Sequence, residues 1–83
     1  MDPKRWNKPV TFQTGMIGQY RTIDSTSEAA LTLMNQWPTD EGKKLTNAKQ
    51  VCLAVLEGRE EPTKARKAFI KAAEEANVFV RDK

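Results

Sequence analysis

The sequence has no histidine and a single cysteine, Cys52. Zinc, haem and iron–sulfur sites therefore lose their usual imidazole and thiolate ligands. Acid–base and nucleophile pairs that depend on histidine are excluded with them. A lone thiol forms no internal disulfide, and within Val51-Cys52-Leu53-Ala54-Val55-Leu56 it reads as a small buried hydrophobe. Long apolar runs are also missing. Nothing approaches a membrane span, and no stretch of roughly 7 to 15 apolar residues follows the charged start Met1-Asp2-Pro3-Lys4-Arg5-Trp6. The expectation is a cytoplasmic protein without a membrane partner, in a reducing compartment that suits a single thiol.

What is present fits one globular domain. A chain of 83 residues has enough apolar surface for one core and too little for two. Charged residues make up 30% and hydrophobic residues 39%, and the latter come in periodic blocks that a disordered chain lacks. The net charge of +3 comes from mixed signs rather than one strong field. Lys4, Arg5 and Lys8 crowd the N-terminus and Lys64, Lys67 and Lys71 recur along the last helical pattern. Glu57, Glu60, Glu61, Glu74 and Glu75 lie close to the second group, so a solvated face is expected there and nucleic acid is the less favoured partner.

Residues 1–8 read as a flexible polar arm, residues 9–80 as the domain and 81–83 as a tail. From Pro9, Val10 and Phe12 alternate with Thr11 and Gln13, the period of a half-buried strand. Gly15-Met16-Ile17-Gly18 supplies a hairpin loop, and Gln19 to Ile23 the returning strand. Ser25-Thr26-Ser27-Glu28 is a capping box, with Ser25 accepting from the Glu28 N–H and the Glu28 carboxylate reaching back to Ser25. Ala30, Leu33, Met34 and Trp37 then form one stripe, and Pro38 stops the first helix near Gln36. Thr39-Asp40-Glu41-Gly42 reads as the cap of a second helix over about residues 41–57, with Gly58 just beyond its end. Pro62 opens a third helix whose buried stripe is Ala65, Ala68, Phe69, Ala72, Ala73 and Ala76, with Phe69 as anchor. Asn77 is a left-handed stop, and Val78-Phe79-Val80 is expected as a short third strand. The fold class is α+β: a small antiparallel-containing sheet on three helices, in the order ββαααβ.

Several pieces in this order resemble a known family. They are Pro9-Val10-Thr11, Gly18, Arg21-Thr22-Ile23 with Ser25, Glu28-Ala29-Ala30 with Leu33, and Trp37-Pro38. Further along come Cys52-Leu53-Ala54-Val55-Leu56-Glu57-Gly58, then Ala65-Arg66-Lys67-Ala68-Phe69-Ile70 with Ala72-Ala73 and Ala76. Together they resemble the domain of unknown function family 982 (DUF982), small proteins of rhizobial and related alphaproteobacteria. The resemblance implies no activity, cofactor or site residue.

No catalytic, cofactor-binding or metal-binding residue is assigned. Glu60-Glu61 and Glu74-Glu75 are adjacent on helices and diverge by about 100°, so neither makes a carboxylate dyad; they read as solubility and dipole elements. The double-glycine loop lacks the pattern of a nucleotide-binding turn. The candidate interaction surface comprises Val10, Phe12, Met16, Ile17, Arg21 and Trp37. Met16 and Ile17 are apolar at a loop tip, and the uncharged edge from Val10 to Thr14 is open to strand pairing by a second copy or a peptide. Trp37 either offers a rigid face to a partner or closes its own core, the commoner role. Arg21 shares a strand face with Ile23; if that face is inward, Arg21 is partly buried and requires an acidic partner, but a solvated strand face is the commoner reading. The leading functional expectation is a non-enzymatic protein-binding or regulatory module. The alternatives are weak nucleic-acid binding by the arm and the third-helix lysines, and a small-ligand site around Arg21.

Overall fold

The computed structural model describes residues 5–13 and 19–81. Two strands, β1 (Arg5–Gln13) and β2 (Tyr20–Ser25), pair antiparallel, with Val10 opposite Ile23 and Phe12 opposite Arg21. Side-chain alternation turns Val10, Phe12 and Ile23 inward, where all three are buried. Thr11 and Thr22 face the other way, and their hydroxyls share a hydrogen bond of 2.9 Å. The expected loop tip, with Met16 and Ile17, lies outside the described residues.

The first correction concerns the N-terminal arm. Arg5 to Lys8 belong to β1, and Trp6 is a core residue at 6% exposure. Its ring lies 5.9 Å from that of Phe69, and its indole N–H donates to the Thr26 hydroxyl at 3.0 Å. Arg66 donates to the Lys8 carbonyl at 2.8 Å, and Arg5 pairs with Asp24 at 3.3 Å. The register slips between Arg5 and Val10, which breaks the alternation and hides this half of the strand from a period-2 reading.

Three helices follow: α1 (Thr26–Asn35), α2 (Lys43–Leu56) and α3 (Pro62–Glu75). Ser25 caps α1 as expected, accepting from the Glu28 N–H at 3.2 Å, but the Glu28 carboxylate reaches the N–H of Asp24 rather than that of Ser25. The buried stripe of α1 is Thr26, Ala29, Thr32 and Leu33, while Met34, expected inside, is 66% exposed. Packing against β2 thus selects a face rotated from the one drawn through Met34. On α2, Leu45, Ala48, Cys52 and Val55 are buried, and Gly58 adopts φ 84° just past its end. On α3, Ala65, Ala68, Ala72 and Ala73 flank a fully buried Phe69, and these short side chains let α2 approach closely.

Asn77, at φ 59°, ends α3 in the left-handed conformation. The next residues return to the sheet without forming a third strand. Val80 makes a single bridge opposite Phe12, flanked by Gln13 N–H donating to Phe79 and Arg81 N–H donating to Thr11, each at 2.8 Å. The fold is therefore α+β with a two-stranded antiparallel sheet and three helices, and the element order is ββααα. With only three residues between the Asn77 stop and Arg81, the segment makes one bridge and no ladder. The core is aromatic at its centre: Phe69 touches Trp6, Phe12 at 5.6 Å and Trp37 at 5.3 Å between ring centroids. Among the described residues no helix is long and apolar enough to cross a membrane.

Candidate functional site

The C-terminal ends of α1 and α3 converge on one end of the sheet. Between them lies a cleft of about 410 Å³, within the range of small-molecule sites. Phe12 and Arg21 contribute from the sheet, Thr32 and Gln36 from α1 and the residue after it, and Val78 and Phe79 from the segment that returns after α3. Phe79 and Pro38 are exposed at its rim.

Arg21 reaches this cleft because of the strand register. Ile23 points inward, so two residues earlier Arg21 projects from the same face, but at the end of the sheet where the core gives way to solvent. It is half-buried. One guanidinium nitrogen donates to the side-chain carbonyl of Gln36. Among the described residues the acidic partner expected for a half-buried arginine is not there, so the positive charge of Arg21 meets an amide dipole and no described carboxylate.

Thr32 lines the same cleft at 1% exposure, and its hydroxyl has no hydrogen-bond partner. A buried hydroxyl left so costs about 1 to 3 kcal/mol, and such exceptions call for a reason. The indole N–H of Trp37 is the other buried polar group without a partner among the described residues. Trp37 itself is half-buried, 6.2 Å from Phe12 and against Phe69. Arg21 and Thr32 thus line one partly apolar space, with the Thr32 hydroxyl itself sealed from solvent.

The sequence-derived surface divides accordingly. Val10 is buried in the core and offers no contact surface; Phe12, also buried, forms the wall of the cleft. Trp37 packs on its own domain's core, and Arg21 lies in the cleft. Met16 and Ile17 lie outside the described residues. The β1 edge expected to be open is covered at Thr11 and Gln13 by the segment around Val80. Thr32, Gln36 and Phe79 were not singled out. No spacing marked Thr32, because the stripe drawn for α1 ran through Ala30, Leu33 and Met34, whereas the buried face runs through Ala29, Thr32 and Leu33.

Among the described residues, no group of three or more His, Cys, Asp and Glu side chains is placed to hold a metal. A family model described as "Protein of unknown function (DUF982)" matches residues 8–80. No curated protein and no solved structure matches the chain.

Proposed function

We propose that this chain, which belongs to the DUF982 family of proteins of unknown function, is a non-enzymatic binding module that takes a small anionic ligand in the cleft at Arg21. The observation that carries the reading is a half-buried guanidinium in a partly apolar cleft that meets an amide and, among the described residues, no carboxylate. A bound anion would meet that charge with a charge-assisted hydrogen bond. A thermal-shift panel of small organic anions and cations tests the proposal. Anions are expected to raise the melting temperature of the wild type by several degrees at saturating concentration and to leave Arg21→Gln unmoved. A panel in which no anion acts, or in which both proteins respond equally, refutes it.

Recruitment of a protein by strand pairing is a second reading, with the edge moved from β1 to β2. Antiparallel alternation directs the Thr22 backbone groups away from β1, because Val10–Ile23 and Phe12–Arg21 face each other across the pair. Sedimentation equilibrium of the intact chain and of Thr22→Pro tests this route. A dimer in the first alone supports it, and a monomer in both removes it.

A further inference from the structure

We infer that the ligand of the Arg21 cleft is a monocarboxylate on a flat apolar body, such as an aromatic acid; the inference rests on the binding reading above and narrows it. The first ground is charge. Among the described residues that line the cleft Arg21 is the one cationic side chain, and it balances one negative charge. The second ground is the backbone. Gln36 is the C-cap of α1 and Ala76 that of α3, and both line the cleft. The cleft therefore faces the carbonyl ends of two helices, where the macrodipole is negative. Phosphate sites are built at the opposite end, on N–H groups, and none of the lining residues opens a helix. These helix ends oppose any negative charge, and Arg21 offsets one: the second charge of a dianion goes uncompensated, whereas a single carboxylate is met by the guanidinium in the two-pronged geometry both groups prefer.

The third ground is shape. Phe12 and Phe79, with Val78 and Pro38, surround the space beside Arg21. Aromatic and aliphatic walls gain most from a flat apolar partner.

Nuclear magnetic resonance titration of the full chain tests the inference with benzoate, its neutral isostere benzamide and the dianion phenyl phosphate. Benzoate is expected to shift the backbone amides of Phe12, Arg21, Gln36 and Val78 with a Kd of about 1 mM or tighter, as its size allows. Benzamide and phenyl phosphate are expected to bind at least about tenfold more weakly, and Arg21→Gln to weaken benzoate by a similar factor. Phenyl phosphate binding as tightly as benzoate overturns the monocarboxylate and leaves the anion cleft standing. Benzamide binding as tightly as benzoate removes charge recognition by Arg21. If none of the three probes moves the cleft amides, the inference and the binding reading fall together.

Discussion

Phe69 carries more of this fold than any other side chain, because it is the ring on which Trp6, Phe12 and Trp37 all converge. It joins β1, the residue after α1's cap, and α3 into one core. Its neighbours on α3 are alanines, which cannot swell to fill a void. Phe69→Ala is therefore expected to cost about 3 to 5 kcal/mol in urea unfolding; a loss under about 1 kcal/mol would show a core that does not depend on it. That role was legible from the sequence because one large residue stood in a stripe of small ones. Thr32 was not legible: a threonine in a helix reads as surface until a neighbouring strand is known to cover it. Cys52 was read as a buried small hydrophobe and is one. Burial pushes its thiol from 9.0 up to about 11. The unfolded chain then gives up this proton first as pH rises, so the group's contribution is intact below pH 9.0 and is lost between there and about pH 11. Stability measured across that window is expected to fall more steeply for the wild type than for Cys52→Ala; equal slopes would place the thiol in contact with water.

At the scale of elements, the start of α2 shows best what a local reading misses. Thr39, Asp40 and Glu41 look like its cap, yet Gly42 occupies the N-cap position without a side-chain hydrogen bond. The helix is capped from α3. The carboxylate of Glu75 accepts from the N–H groups of Lys44 and Leu45, each at 3.2 Å. Two orphan donors and the positive end of the helix dipole are thereby met by one negative group. Gly42 sits at φ 143°, and a Cβ there would collide with that carboxyl, so the glycine makes room for the cap. Glu75→Gln is expected to destabilise by about 1 kcal/mol and Glu75→Ala by about 1 to 2 kcal/mol. Amide hydrogen exchange at Lys44 and Leu45 should quicken in both variants. Unchanged exchange there would mean the cap contributes nothing. Helices α1 and α3, by contrast, were readable, since Ser25-x-x-Glu28 and Pro62 act within a few residues of themselves. The third strand was overdrawn because β-propensity at Val78-Phe79-Val80 says nothing of how many ladder bonds the geometry leaves room for. The β1 start was underdrawn because the register slip conceals Trp6.

At the scale of the molecule, the sequence indicated an α+β fold and a candidate surface of six residues with Arg21 among them, and folding supplied what makes that arginine a candidate site. Thr32 and Val78 are brought to Arg21 only by tertiary closure of α1 and α3 on the sheet, which no spacing in the chain records. The exposed lysines of α3, Lys64, Lys67 and Lys71, stand beside exposed glutamates on the same helix and its flanks. Nucleic acid is accordingly expected to bind no more tightly than about 10⁻⁴ to 10⁻⁶ M at ~150 mM salt. Submicromolar, sequence-preferring binding in a salt titration would replace the cleft as the centre of the account.

The central claim is that the cleft beside Arg21 holds the ligand. The most direct measurement is of magnetisation transfer between the protons of bound benzoate and the protein's methyl groups. Transfer to the methyls of Thr32 and Val78, lost in Arg21→Gln, is the result predicted. Transfer confined to the exposed side chains Leu31, Met34 and Leu53, none of which lines the cleft, and undiminished by removal of the guanidinium, would contradict it.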